Sequence, residues 1–184
     1  WTYNPNGVTD GNTANDTLKA PGSTFALAGT YTVGPTGQFS SFNDAVDSLV
    51  AKGICADVVL EVQSGTYTEQ VSIPEIAGAG TPDGPGKNSS STHNRITFTS
   101  QTGDSTDVVL TFGAATFADN YVLQLDGADY ITVRSLTIRS TDPFDNQAVR
   151  LRSTATQNIL ENNRLETIAG ANGDDVVVSN TPSD

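Results

Sequence analysis

Repetition constrains this chain more than any single motif. Leu125 and Leu151 stand 26 residues apart, Val149 and Val177 28, and Leu136 and Leu165 29, each inside a brief run rich in Val, Ile, Leu and Thr. Strand–turn–strand units with an irregular period in the twenties imply stacked coils, because a unit this small cannot bury its apolar face alone and must lean on the next. No helical pattern separates the later strands, which excludes a doubly wound sheet. The spacing predicts an all-β solenoid, a parallel β-helix in which each short strand pairs with its equivalent in the following coil.

The strands are legible one by one. DVVLEV (57–62), EQVSI (69–73), RITFTS (95–100), DVVLTF (107–112), YVLQLD (121–126), YITV (130–133), SLTIR (135–139), AVRLR (148–152) and DVVVSN (175–180) are short, β-branched and mostly alternating. Asn162 and Asn163, between the strand-like NILE and RLETI, suit tight bends because Asn tolerates positive φ. An immunoglobulin-like sandwich is the competing fold. It needs hairpins, and no Asn-Gly or Asp-Gly two-residue turn joins the relevant pairs.

One segment has a different period. In SSFNDAVDSLVAKG, Phe42, Ala45, Val46, Leu49 and Val50 recur at helical spacing, Ser41 with Asp44 reads as a capping box, and Gly53 is placed to end the helix. An amphipathic helix over about 41–52 follows, with those five apolar residues laid across the open first end of the coil. The far end, DDVVVSNTPSD, stops just after a strand with no such cap. The expectation is a chain that forms the N-terminal part of a longer coil, with the β-helix domain over 29–184.

Residues 1–28 are turn after turn and read as a linker or the end of a preceding domain, and AGAGTPDGPGKNSSSTHN within 76–94 reads as a mobile loop. Asp10, Asn12, Asn15 and Asp16 are candidate calcium ligands, since hard oxygens cluster there, but their spacing is not that of an EF-hand loop. Nine basic against 21 acidic residues give a net charge of -12, which repels nucleic acid and anionic membrane. No apolar run approaches the ~20 residues of a membrane-spanning helix. The chain has no Met and does not open on a signal-like segment, so processing or excision from a larger protein is expected. Cys55, between Ile54 and the VVLEV run, is expected to be a small buried hydrophobe.

Other chemistry-bearing residues are sparse. His93 is the one histidine and lies in the Ser-rich loop without an ordering carboxylate; one His and one Cys make a zinc site improbable. Trp1 and Tyr3 read as residues of a preceding domain's last strand. Asn15-Asp16-Thr17 and Asn88-Ser89-Ser90 fit an N-glycosylation sequon.

Two stretches carry a family resemblance. Gly37, Phe39, Phe42 and Ala45 match a helix entry of the type G-x-F-x-S/T-[IF]-x-x-A, and Gly65, Tyr67, Glu69, Val71 and Ile73 match G-x-Y-x-E-x-V-x-I. Together they resemble the opening of the pectin-lyase-like right-handed β-helix proteins, pectin methylesterases in particular, over about 30–170. The resemblance implies a right-handed coil. It also places Gln147, in SLTIRSTDPFDNQAVRL, at the first glutamine of the esterase site, which helps stabilise the oxyanion. The second motif of that family, which supplies another Gln and the acid/base Asp, has no match in RLETIAGANGDD after Asn163, and the later nucleophilic Asp and Arg have no counterpart. Glu166 and Asp174 are the carboxylates nearest in sequence that would have to substitute. The linker and the GTYTVG entry also look like those of large non-enzymatic surface proteins of the Bacteroidota type, which implies export and attachment.

Three functions follow as expectations. The first is a structural and adhesive module of a large secreted or cell-surface protein, in contact with other domains, with its own copies in a fibre, or with cell-surface glycans. The second is a carbohydrate esterase or lyase with residues beyond this chain. The third is a calcium-assisted glycan-binding module; otherwise no cofactor is expected. Carboxylates facing one another on the Gln147 side of the coil would favour the enzyme. Stability that depends on calcium would favour the third.

Overall fold

A computed structural model describes residues 25–82, 93–113, 119–141 and 147–167, and the backbone of 175–179. The candidate calcium ligands Asp10, Asn12, Asn15 and Asp16, both sequons, Trp1, Tyr3 and Asp174 lie outside the described residues. Strand β1 (Leu27–Val33) is followed by helix α1 (Phe42–Lys52) and then by strands in strict rotation. β2 (Ile54–Val62), β5 (Ile96–Ser100), β8 (Ile131–Arg134) and β11 (Ile159–Glu161) join β1 in a first sheet. β3 (Gly65–Thr68), β6 (Val108–Phe112), β9 (Thr137–Ser140) and β12 (Arg164–Glu166) form a second. β4 (Val71–Pro74), β7 (Leu123–Asp126), β10 (Gln147–Arg152) and β13 (Asp175–Ser179) form a third. Every pairing between these strands is parallel, so the chain is a three-faced parallel β-helix.

The register explains why the sequence folds this way. Side chains alternate along a strand, so one residue in two enters the interior and lines up with its counterpart in the neighbouring coil. Leu60, Phe98, Val133 and Leu160 form one such file, and Tyr67, Leu110, Ile138 and Leu165 another. Ile73, Leu125 and Leu151 form the third. Each fully buried Leu, Ile or Phe contributes about 1.5–3 kcal/mol. The expected spacings of 26 and 28 residues are the pairings Leu125 with Leu151 and Val149 with Val177. The third differs: Leu165 pairs with Ile138, and Leu136 sits in the turn before β9, where its carbonyl accepts from Arg164 N.

Strands β1 and β3 escape the sequence reading: Gly29 interrupts the first, and the second, GTYT, has Tyr67 as its one buried residue. Cys55 is exposed, not buried. Val58, Leu60 and Val62 point inward at every second position, and counting back by twos from them puts Cys55 on the outer side. Its thiol lies 3.7 Å from the Ala26 carbonyl oxygen.

Helix α1 closes the first end of the coil, with Phe42, Ala45, Val46 and Leu49 buried. Val50 does not belong to that face and is 52% exposed. Eight residues on from Phe42 it has rotated about 80° around the helix, off the edge of the apolar stripe. Ser41 Oγ accepts from Asp44 N as a capping box requires, but Asp44 Oδ2 reaches one residue further back, to the amide and hydroxyl of Ser40. Gly53 ends the helix at φ 65, ψ -173, a region open only to glycine, and a Cβ there would lie 2.7 Å from the Ala77 carbonyl oxygen.

The outer edge of β1 is also covered. Thr32 N donates to Gln38 Oε1, Phe39 N donates to Thr32 O, and Val33 forms a parallel bridge with Phe39. Those contacts block strand addition at that end.

The corners of the later coils are stitched by side chains at one constant offset. Ser153 donates to Asp126, Thr156 to Asp129 and Arg139 to Glu166, each pair 27 residues apart. Asn158 Oδ1 accepts from Ile131 N and Asn163 Oδ1 from Leu136 N at the same separation, while their amides donate to the Ala128 and Val133 carbonyls. Asn162 takes the expected positive φ of 53, whereas Asn163 serves through its side chain. Earlier coils are longer because the corners between β4 and β5 (75–95), β5 and β6 (101–107) and β6 and β7 (113–122) have more residues than their later equivalents.

Candidate functional site

The corner between β6 and β7 joins the second sheet to the third, and its residues Asp119 and Tyr121 stand beside the outer face of the third sheet. Loops on a rigid scaffold are where binding groups concentrate, which makes this face the place to look for chemistry. Ser72, Gln124 and Arg150 occupy equivalent positions on β4, β7 and β10. They form a polar ladder: Gln124 Nε2 donates to Ser72 Oγ at 3.0 Å, and Arg150 Nε donates to Gln124 Oε1 at 2.6 Å.

The corner folds over this ladder. Gln70 Nε2 donates to the carbonyls of Asp119 and Tyr121, holding them above β4. The Tyr121 ring lies 4.2 Å from the Arg150 guanidinium carbon, and Asp119 Oδ1 is 3.9 Å from its Nη2. Arg150 is only 6% exposed. Burial pushes its pKa below the ordinary arginine value, the neighbouring Arg152 adds to this, and Tyr121, Asp119 and Asp126 oppose it. It remains a cation, since arginine ordinarily titrates so far above neutrality. Alternation along AVRLR sets Val149 and Leu151 on one side and Ala148 and Arg150 on the other. Val149 is buried and Leu151 partly so, but Ala148 and Arg150 are covered as well, because the corner forms a second layer outside the sheet.

Gln147 opens β10 and is half-buried. Its Oε1 is buried without a hydrogen-bond partner among the described residues, and the glutamine engaged with Arg150 is Gln124. Glu166 is on β12, in the second sheet, where its carboxylate takes Arg139 and Arg164; the Arg139 hydrogen bond holds its pKa below the usual glutamate range. The two residues singled out for an esterase thus sit on different faces of the coil. His93 stacks on Tyr130 with ring centres 5.1 Å apart, and Arg95 also lies over that ring at 5.4 Å. Gly80 packs against Tyr130 so closely that a Cβ would lie 2.6 Å from the ring. That cluster fastens the base of the loop, where Pro82 and His93 form an antiparallel bridge.

A second concavity, about 480 Å³, lies between the start of α1 and β3, lined by Ser40, Asn43, Thr66, Thr68 and Glu69 among others. Its one carboxylate is already used. Glu69 Oε1 and Oε2 accept from Phe42 N and Asn43 N, and Asn43 Nδ2 donates to the same carboxylate. The G-x-Y-x-E-x-V-x-I signature becomes physical here. Tyr67 packs edge-on against Phe42 and donates to the Gln63 carbonyl, Glu69 caps the helix, and Val71 and Ile73 enter the core. Among the described residues no group of three or more His, Cys, Asp or Glu is arranged to hold a metal ion.

Ser72, Gln70, Asp119, Tyr121 and Gln124 are the site residues that the sequence reading missed. Only Gln124 and Arg150, 26 residues apart like Leu125 and Leu151, left a trace, visible once the coil register is applied to the outer positions.

Fold and face together define a three-sheet parallel β-helix with a helix-capped end and a polar ladder under the corner between β6 and β7. Two crystal structures of the pectin methylesterase from Aspergillus niger are similar to the chain at 19% and 18% identity, each with a TM-score of 0.44, over 68% of this chain and 42% of theirs. The chain therefore spans less than half the length of those structures. No family model and no curated protein sequence matches it.

Proposed function

We propose that this chain is a structural and adhesive β-helix module of a secreted or cell-surface protein, a stiff segment that holds contact loops away from its base. The observation that carries this reading is the continuity of the three interior files together with the corner side chains that staple one coil to the next at a constant offset. Stacked parallel coils resist bending, and their outer corners can vary without disturbing the interior. The polar ladder of the third sheet supports the same reading, since its groups are already committed to one another. An acidic chain with no helix among the described residues long and apolar enough to cross a membrane is compatible with export.

The esterase or lyase alternative keeps one support, the place of Gln147 at the head of β10. It needs an acid/base and a nucleophilic carboxylate from residues outside this chain. The calcium-assisted glycan-binding alternative rests on residues outside the described ones. Beads coated with the chain are expected to be retained on cell-surface polysaccharide with no change on adding EDTA. Methanol release from methyl-esterified pectin would sink the adhesive reading in favour of the esterase, and retention abolished by EDTA would favour the calcium module.

A further inference from the structure

Strands β1, β3 and β4 are the first of the three sheets, and two of them are covered. Gln38 and Phe39 fold back on β1, and α1 packs over β4. What blocks strand addition on β1 does not extend to β3. Residues 34–41 follow β1 where a strand preceding β3 would run, but they turn back on the β1 edge instead. Gly34 N donates to Phe39 O, and Gln63 clamps the turn through the amide and the hydroxyl of Thr36.

The edge left open is made of main chain. Gly65 N and Glu69 N donate to Asp107 O and Thr111 O, so Gly65, Tyr67 and Glu69 face β6. In an evenly spaced parallel ladder the residues between them, Thr66 and Thr68, turn their N–H and C=O groups the other way. Among the described residues no hydrogen bond reaches those groups from that side. Ser64, Gly65, Thr66 and Thr68 are all exposed, and they border the concavity of about 480 Å³ whose other wall is Pro35 and the start of α1.

Shape and charge say what fits. An unpaired edge accepts another strand, whose main chain supplies the affinity. The same edge on a second copy is recessed in its own groove, so two copies cannot bring their β3 edges together, whereas a single extended segment can enter. Glu69 lines the groove, Ser40 holds the Asp44 carboxylate beside it, and no lysine, arginine or histidine lines it. The whole chain carries a net charge of -12. A strand bearing lysine or arginine is therefore favoured over an acidic one.

We propose that the groove between β3 and the start of α1 is a strand-docking site, filled by an extended, basic segment of another polypeptide that pairs with the main chain of Thr66 and Thr68. The segment takes the place that a preceding coil would give to a strand, and it needs an N–H at every second residue, which excludes proline there. Such a partner is of another kind than a surface polysaccharide, and the site stands whether or not the chain adheres to one.

The test follows an end-capped, fluorescein-labelled peptide of about six residues, alternating lysine and valine, by fluorescence anisotropy, with amide hydrogen exchange of the chain read by NMR. In the dilute chain alone, the Thr66 and Thr68 amides are expected to exchange freely while those of Tyr67 and Glu69 are protected; the peptide is expected to slow the first pair. Methylating the peptide nitrogens at one alternate set of residues is expected to weaken binding about tenfold or more, and methylating the other set to change it by less than about twofold. Glutamate in place of lysine in the peptide is expected to weaken it about tenfold or more. Thr66→Pro removes one edge donor and no bond to β6, and it is expected to weaken the peptide similarly with circular dichroism unchanged. Thr66 and Thr68 amides already protected in the dilute chain would assign the edge to a segment of the same chain, and protection that grows with chain concentration would assign it to a second copy. Equal binding of the two methylated peptides would reduce the attraction to side-chain charge. Each of these, or no binding at about 1 mM, would overturn the proposal.

Discussion

The Glu69 carboxylate accepts hydrogen bonds from the backbone amides of Phe42 and Asn43, 27 and 26 residues earlier. A strand terminus thereby caps a helix that the Ser41 hydroxyl caps only in part. The first amides of a helix have no partner within it and carry a partial positive charge, so a carboxylate held there stabilises the helix and ties it to the coil. Glu69→Ala is expected to cost about 1–2 kcal/mol by urea denaturation. Glu69→Gln, which keeps a carbonyl acceptor, should cost less; equal losses for the two would show that the charge contributes nothing.

Asn158 and Asn163 each make two bonds to the backbone of the preceding coil, one as acceptor and one as donor. Removing either leaves a buried amide and a carbonyl without partners. Asn163→Ala and Asn158→Ala are each expected to lower stability by about 1–3 kcal/mol. Asn163→Asp retains the acceptor but sets an anionic oxygen against the Val133 carbonyl, and it should be no better than alanine in the same denaturation experiment.

Glu166 offers a pH readout. Its folded pKa is depressed, first by the hydrogen bond from Arg139, so its contribution is present above the ordinary glutamate range and lost as pH falls through the folded value. Carboxyl NMR titration is expected to show Glu166 titrating below the ordinary range and Arg139→Ala moving it upward. The effect on stability stays small, because the pair is at the surface and solvent screens it. An unchanged titration in the variant would separate the two residues in solution.

Gln147 and Arg150 should respond oppositely to truncation. The Gln147 Oε1 is buried without a partner among the described residues, so Gln147→Leu is expected to leave stability unchanged or raise it by up to about 1 kcal/mol. Arg150→Ala strips Gln124 Oε1 of its donor and Tyr121 of its cation, and a loss of about 2–4 kcal/mol is expected in thermal or urea melts. Arg150→Lys keeps the charge without the planar fork and should recover only part of that loss.

The coil was legible from spacing because Leu125 with Leu151 and Val149 with Val177 are true rung partners, and repeats of apolar residues record the interior directly. The cap was legible from helical periodicity, except that Val50 follows the spacing and not the stripe. The outer face was far less so. Alternation along β10 turns Arg150 away from the coil interior, and only the corner at Asp119 to Tyr121, whose course no local pattern announces, makes it a buried cation. Cys55 shows the converse: the apolar residues around it suggested burial, while the phase of the alternation had already placed it outside. Gln147 was singled out by likeness to an esterase motif, and the ladder of Ser72, Gln124 and Arg150 formed beside it without its help.

The constant offset of 27 residues between Asp126–Arg139 and Ser153–Glu166 bears on how such a chain can change length. The stapling residues differ from one coil to the next: Asp126, Asp129, Ile131 and Leu136 meet Ser153, Thr156, Asn158 and Asn163, so a genetic duplication of Asp126–Arg152 would set Asp126 over its own copy and supply none of those four partners. The molecule would lengthen by one strand spacing, roughly 4.8 Å, with those corner bonds missing from the inserted coil. Growth by a whole coil therefore needs new corner residues as well as the duplication itself.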